Sequence, residues 1–373
     1  MEGNEQNLAA VILAGGAGHR LWPLGTEREP KQFIKLFGDK SLLKMSLERA
    51  LALVPAERVL ILTNSGLAER VREQLPQVPA DNVIGEPLRR DTAAAVALAA
   101  VLAQSRFGDP VMAVLTADHL IEPLEEFTAA AMSAARAAAA SDALYTFGVR
   151  PTAPATGYGY LERGEKIEPP GPPSAGLHLH HRVRNFKEKP DPATAEVWLG
   201  SGRHFWNSGM FVFRASVILA EIEKHLPDHF QALGPLGRLE GTPAFTPALR
   251  EAFEKLSPIS IDHGVMEKAQ DVRMVEADFT WSDVGGWEAI WELMDKDSDE
   301  NATRGQVLLH EARGNLVFCG EGGEAVVLVG VDDLVVVRAG ARTLVAPRSR
   351  ASEIKRLMDK IKDLEPSKPT EPR

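Results

Sequence analysis

The sequence predicts an α/β protein, a large Rossmann-like domain with a mainly parallel sheet followed by a small β domain. Three observations carry that expectation. Apolar runs of strand length alternate with helix-period segments through the first half of the chain. A glycine-rich turn follows directly on the first of those runs. Beyond about Trp291 the alternation stops, and short β runs spaced by Gly, Asp and Arg replace it.

Residues 9–13 read as a buried strand, and residues 42–54 as an amphipathic helix with Ser41 as its N-cap. A second strand at 59–62 precedes a helix at 67–75. A short run at Val83 and Ile84 leads into an Ala-rich helix beginning at Asp91 or Thr92. A fourth strand at 111–115 is followed by a helix at about 124–140. Such alternation builds a parallel sheet, because each return to the same edge needs a crossover and a helix supplies it. The middle is less regular. Residues 169–173 form a Pro/Gly-rich loop, and apolar, aromatic segments resume at 183–186 and 205–213. The small unit takes its strands from 307–309, 316–318, 325–329, 334–337 and 343–345. Residues 352–363 read as a terminal helix and 365–373 as a polar tail. The expected division is 1–291, 292–351 and 352–373.

The 373 residues are 44% hydrophobic and 25% charged, which suits a globular chain with a well-filled core. The net charge of −10 argues against nucleic acid or an anionic membrane as partner, since both need a basic face. Phosphate substrates would then require a few Arg and Lys gathered in one cleft. The single cysteine, Cys319, excludes an intrachain disulfide and lies in an apolar run, as a core thiol does. Glu2 and Glu5 precede an apolar run, 8–14, too short for a signal peptide or a membrane span, so the expected location is cytoplasmic. His178 and His180 alternate with apolar residues and are expected to face solvent.

Chemistry concentrates in Leu13-Ala14-Gly15-Gly16-Ala17-Gly18-His19-Arg20-Leu21, directly after the first strand. Its glycines allow a tight turn that brings backbone N–H groups against an anion, and Arg20 adds a fixed positive fork. A dinucleotide fingerprint starting at Gly16 would need glycine where Leu21 stands, and no G-K-S/T ends the loop as in a P-loop. Alone, the segment could be only a tight turn.

The segment continues Leu21-Trp22-Pro23-Leu24 and then Pro30-Lys31-Gln32-Phe33. Glu86-Pro87 with Arg90-Asp91-Thr92-Ala93 follows, then Thr116-Ala117-Asp118-His119 and Thr156-Gly157-Tyr158-Gly159-Tyr160. Phe186-Lys187-Glu188-Lys189-Pro190, Trp206-Asn207-Ser208-Gly209-Met210-Phe211 and Trp281-Ser282-Asp283-Val284-Gly285 complete the series. This ordered set resembles the sugar nucleotidyltransferases, and its W-P-L and P-K-Q-F details resemble the mannose-1-phosphate guanylyltransferases among them. His19, Asp91 and Lys187 depart from the family's usual Thr or Ser, Asn and Val. The hundred-odd further residues of an isomerase domain found in bifunctional relatives do not follow, so isomerase activity is not expected.

The resemblance implies that GTP and mannose 1-phosphate react to give GDP-mannose and pyrophosphate. A sugar phosphate is already an anion, so no protein base is needed to activate it, and the barrier is repulsion between polyanions. Unlike charges 4 Å apart attract by roughly 4 kcal/mol at an effective dielectric near 20, so neutralisation and alignment carry the catalysis. Arg20 and Lys31 suit the triphosphate, Lys189 the sugar phosphate, and Asp118 with Asp283 a magnesium ion. The resemblance further places Leu13, Gly15, Gly16, Ala17, Gly18, His19, Glu86, Arg90 and Thr92 at the nucleotide. It places Gly157, Tyr158, Gly159, Glu188 and Asn207 at the sugar, and it implies that the small β domain is β-helix-like and often makes a dimer contact. The rivals are a nucleotidyltransferase of other base or sugar, a non-catalytic sugar-nucleotide sensor, and a dinucleotide-dependent oxidoreductase.

Overall fold

Seven consecutive residues with no charge among them form β1 (Leu8–Ala14), the strand around which the first part of the protein is organised. In the computed structural model, residues 7–16, 19–26, 29–168, 178–320 and 323–362 are described. The Pro/Gly-rich loop at 169–173, the tail at 365–373, Glu2, Glu5, Ala17 and Gly18 lie outside the described residues. The chain makes two compact units. One contains Met1–Gly15 and Leu43–Trp281, and the other Gly16–Leu42 and Ser282–Arg373. The units thus divide at Trp281 rather than at Trp291, and the glycine-rich segment beyond Gly15 belongs with the carboxy-terminal part.

In the first unit, α1 (Leu42–Leu51) leads to β2 (Val59–Asn64), α2 (Ala68–Gln74) to β3 (Val83–Glu86), and α3 (Asp91–Phe107) to β4 (Val111–Thr116). These strands pair in parallel, Leu13 lying between Leu62 and Thr116. Strand β5 (Leu120–Glu122) and helix α4 (Leu124–Ala139) follow, then β6 (Leu144–Val149), β7 (Gly159–Ile167), β8 (His180–Glu188), α5 (Pro192–Ser201) and β9 (His204–Arg214). After α6 (Ala215–His225), α7 (Pro227–Leu233) and α8 (Phe245–Lys255) comes β10 (Val272–Glu276). Nine strands form one sheet, ordered β3-β2-β1-β4-β9-β6-β10-β8-β7.

The mainly parallel sheet expected from sequence is therefore mixed. Parallel pairing holds from β3 to β4 and recurs between β6 and β10, whereas β9 runs antiparallel to β4, β6 and β7, and β8 antiparallel to β7 and β10. Among the described residues no helix stands between β7 and β8, and strands joined without a crossover helix pair antiparallel. Helix α3 lies over the sheet with every residue from Ala93 to Ala103 buried. Its small side chains let it pack closely on both sides.

The two histidines expected in solvent are buried. His180 is fully buried, in hydrogen-bond contact with Ser133 Oγ at 2.9 Å and edge-on to Tyr145. His178 is 7% exposed, whereas Leu179 between them is 40% exposed. The alternation is real but its faces are reversed: a one-residue choice of register decides which set points inward. Burial pushes the His180 imidazole down to about 4, so it is neutral near pH 7.

Strand β11 (Thr280–Ser282) ends the first unit and reaches the boundary, and in the second unit α9 (Trp287–Leu293) follows. Then come β12 (Ala302–Arg304), β13 (Gln306–His310), β14 (Leu316–Cys319), β15 (Ala325–Val329), β16 (Leu334–Ala339) and β17 (Arg342–Pro347). From β12 to β16 successive strands alternate between two sheets, β12-β14-β16 and β13-β15, each paired in parallel. Gly305 makes this coil possible: it has φ 92°, and a Cβ there would lie 2.4 Å from the Cys319 carbonyl oxygen. Cys319 is a buried thiol, as its apolar run implied. The final helix, α10 (Ile354–Lys362), is shorter than the expected 352–363 because a 3-10 turn, Arg348–Glu353, precedes it. No helix among the described residues is long and apolar enough to cross a membrane.

Candidate active site

In the first unit the candidate nucleotide residues gather at the carboxyl ends of parallel strands, where open α/β sheets bind ligands. Leu13 is half-buried near the end of β1, and Gly15 just beyond it is exposed. A Cβ at Gly15 would lie 3.8 Å from Glu86 Oε2, so β1 and β3 deliver these residues to one place. Burial pushes the Glu86 carboxyl up to about 8.

Arg90 and Thr92 are committed to the scaffold. The Arg90 guanidinium donates from Nε to the Phe253 carbonyl at 2.7 Å, at the end of α8. The Thr92 hydroxyl accepts the Ile261 N–H at 2.8 Å. Both brace the start of α3, so their contact with nucleotide rests on the resemblance. Asp91 adopts φ 63° and accepts the Thr92 N–H on Oδ1 at 2.7 Å. Asn and Asp are the non-glycine residues that tolerate this conformation best, which explains why Asp can stand where relatives carry Asn.

Asp118 follows β4, its side chain one-third exposed, with Oδ1 3.8 Å from His119 Nε2. The other ring nitrogen, His119 Nδ1, accepts the Trp281 indole N–H at 3.1 Å.

The candidate sugar residues come together through strand register. Gly159 on β7 faces Glu188 on β8, and a Cβ at 159 would lie 2.1 Å from Glu188 Oε1. Only a residue without a side chain lets that carboxylate lie where it does. Burial pushes the Glu188 carboxyl up, opposed by Lys189, whose Nζ lies 3.7 Å from Glu188 Oε2. Lys189 has φ 47°, and its N–H donates to the Tyr158 carbonyl at 3.1 Å. Tyr158 packs edge-on against Trp206 and Trp281. Gly157 is exposed, with nothing within 4 Å of the position its Cβ would take. Asn207 accepts the Thr146 hydroxyl at 2.8 Å and donates from Nδ2 to Asp262 Oδ1 at 2.9 Å. The Asp262 carboxyl is pushed up to about 7, by burial first and by Glu188 second.

Sequence reasoning missed Asp262, Glu267 and Thr146. Glu267 Oε1 accepts the Glu188 N–H at 3.0 Å, and Asp262 lies on a single π-helical turn, Asp262–Met266. A turn of that kind carries no hydrophobic period to read. The clustering of two acids with a raised pKa is the signal that marks the place.

In the second unit, Arg20 is exposed on a 3-10 turn, His19–Leu21. Gly16 is exposed, and the His19 side chain lies outside the described residues. Lys31 is 8% exposed and donates from Nζ to the Asp283 backbone carbonyl, so these two residues do meet. The Trp287 indole N–H donates to the Trp22 carbonyl at 3.1 Å and ties the same two segments together. A Cβ at Gly285 would lie 2.9 Å from both Asp283 carboxylate oxygens. Val284 between them has φ 46°.

Comparison with known proteins identifies the family. Residues 9–300 match the nucleotidyl transferase family. A mannose-1-phosphate guanylyltransferase of Klebsiella pneumoniae is 37% identical over 95% of this chain and 74% of its own length. One from Escherichia coli K12 is 38% identical over 96% of this chain and 74% of its own. Among solved structures, one described as mannose-1-phosphate geranyltransferase from Thermus thermophilus superposes with a TM-score of 0.84. It is 35% identical and covers 96% of this chain and all of that one. One described as mannose-6-phosphate isomerase from Helicobacter pylori is 29% identical, with a TM-score of 0.57, over 74% of this chain and 99% of that one. With its motifs in order and its family match spanning most of its length, the chain belongs to the nucleotidyl transferase family.

Proposed function

We propose that this protein makes GDP-mannose and pyrophosphate from GTP and mannose 1-phosphate. The observation that carries the sugar half of this reading is the carboxylate of Glu188 laid against bare Gly159 with Lys189 beside it. An acceptor for hydroxyls and a cation for a phosphate, a few ångströms apart, suit a sugar phosphate. Asn207, held at both ends of its amide by Thr146 and Asp262, adds an oriented donor. The guanine and mannose specificities follow from the relatives' activities and the W-P-L and P-K-Q-F motifs.

In the reaction an oxygen of the sugar phosphate attacks the α-phosphorus of GTP. The bond from that phosphorus to the bridging oxygen breaks, and pyrophosphate leaves with the electron pair. No proton is transferred, so alignment and charge neutralisation carry the rate. We assign Arg20 and Lys31 to the triphosphate and Lys189 to the sugar phosphate. Glu86 is assigned to the base, which its place beside Gly15 supports.

We assign Asp118 and Asp283 to a divalent cation, magnesium by the hardness of the oxygen donors. The residues fit such an ion. The Asp118 carboxylate is partly open to solvent, and Gly285 leaves clear the space at the Asp283 oxygens that a side chain would fill. Among the described residues no three His, Cys, Asp or Glu form a metal cluster. When bound, the ion would neutralise charge on the reacting phosphates.

The test is pyrophosphate release across a matrix of nucleoside triphosphates and sugar 1-phosphates with magnesium. GTP with mannose 1-phosphate should give the highest kcat/KM. A preference for UTP or dTTP with glucose 1-phosphate would overturn the specificity, and no turnover in any cell would favour a sensor.

A further inference from the structure

Helix α1 sends two side chains, one turn apart, to the loop that carries Asp118. Ser46 donates its hydroxyl to the Thr116 carbonyl at 3.0 Å, and Arg49 donates from Nη2 to the His119 carbonyl at 3.2 Å. Residues at i and i+3 share a helix face, so one rigid element grips the loop on either side of Asp118. A third bond, from the Ala117 N–H to the Leu13 carbonyl at 3.1 Å, fixes the loop to β1. Trp281 holds the His119 ring by its Nδ1. The backbone is therefore held at Thr116, Ala117 and His119, and the Asp118 carboxylate stands between them, one-third exposed.

Arg49 is 2% exposed, and its Nε is buried without a hydrogen-bond partner. Burying a guanidinium this way is costly, and an apolar residue of similar volume would serve packing alone at least as well. Asp118 is the first of the acidic groups whose charge favours the ionised guanidinium, ahead of Glu48 and Glu122. The small cavity beside Arg49 is also lined by Glu48 and Glu122, which oppose an anion there. The charge thus acts on the loop rather than on a ligand of its own.

We infer that Arg49, with Ser46, is a positioning residue that fixes the Asp118 loop for metal binding. This rests on the assignment of Asp118 to a divalent cation. Groups that orient a metal ligand typically cost about tenfold to a hundredfold in metal affinity or activity when removed.

The test uses Arg49→Met, Arg49→Lys and Ser46→Ala in the full chain. Manganese binding in the presence of GTP, read by electron paramagnetic resonance, is measured beside turnover, with thermal unfolding as the check on folding. Arg49→Met should weaken manganese about tenfold to a hundredfold and lower kcat to match. GTP affinity without metal should stay within about threefold of wild type, since uniform binding is not what is lost. Arg49→Lys should recover part of the loss, and Ser46→Ala should move the same quantities less. In an Asp118→Asn background Arg49→Met should add little, because the ligand it positions is gone. If Arg49→Met fails to fold, Ser46→Ala decides. Folded variants with wild-type manganese affinity and turnover would overturn the inference. A wild-type protein that turns over while Asp118→Asn binds manganese normally would overturn the metal assignment, and this inference with it.

Discussion

The two halves of the large sheet position their candidate residues in different ways. In the parallel half, Glu86 is the last residue of β3, and Gly15 and Asp118 stand just beyond β1 and β4. Loops do the placing there, and the strands only aim them. In the antiparallel half the residues lie on the strands themselves, and the register Gly159 opposite Glu188 does the placing. A loop needs bracing from other elements, as α1 braces the loop of Asp118, whereas a register cannot shift without turning every side chain over. On the proposed reading the first half takes the triphosphate and the second the hexose.

The largest effect expected concerns metal binding. Asp118→Asn or Asp283→Asn should leave circular dichroism unchanged and lower magnesium-dependent turnover by several orders of magnitude. If both serve one ion, the double variant should lose little more than either single one. Additive losses in a magnesium titration would separate the two aspartates.

Next is Gly159→Ala. The clash falls on the tip of a flexible side chain, so the Glu188 carboxylate moves and the fold stays. KM for mannose 1-phosphate should rise about tenfold to a hundredfold, the loss expected when a buried polar partner is misplaced. The melting temperature should shift by only a few degrees. A large fall in melting temperature with unchanged KM would mean that the register serves stability alone.

Lys189→Ala is smaller. It should raise KM for mannose 1-phosphate about tenfold, the loss of one charge-assisted contact, with less change for GTP. A variant impaired only toward GTP would reverse the assignment of the two halves.

The smallest effect is on pH dependence. The Glu86 carboxyl has a folded value of about 8 against an ordinary 4.5. Between these values the unfolded chain is ionised there and the folded chain holds the proton. Stability from this group is fully present at the acid end and is lost as pH rises toward 8. Melting temperatures of Glu86→Gln should therefore fall less between pH 5 and 8 than those of wild type. Parallel curves would show that Glu86 ionises freely in the folded protein.

What could be read from sequence follows the same division. Strands β1 to β4 and their helices were legible because buried parallel strands are continuous apolar runs, and α3 starts at Asp91 where expected. Strand β7 was not, since Gly159–Ile167 carries Glu162, Arg163, Glu165 and Lys166 and looks like a surface loop until its partners are known. In the candidate site, contiguous motifs pointed to the residues they contain, and the residues that contact these from elsewhere in the chain gave no such signal. Asp262 and Arg49 reach their partners across 55 and 70 positions of sequence, a distance no local pattern encodes. Arg90 lay in a motif, yet its guanidinium is spent on the end of α8.

The complete burial of α3 from Ala93 to Ala103 has a consequence for timescale. A helix frays where water reaches its backbone, and this one offers water only its two ends. Its inner amides can exchange their hydrogens only when the unit opens as a whole, so they keep time for global unfolding. Its first turn, at Asp91 and Thr92, is half-open to solvent and borders the Glu86 segment, so exchange there follows local opening instead. A single helix therefore carries two clocks, a slow one for the fold and a fast one for the candidate nucleotide site.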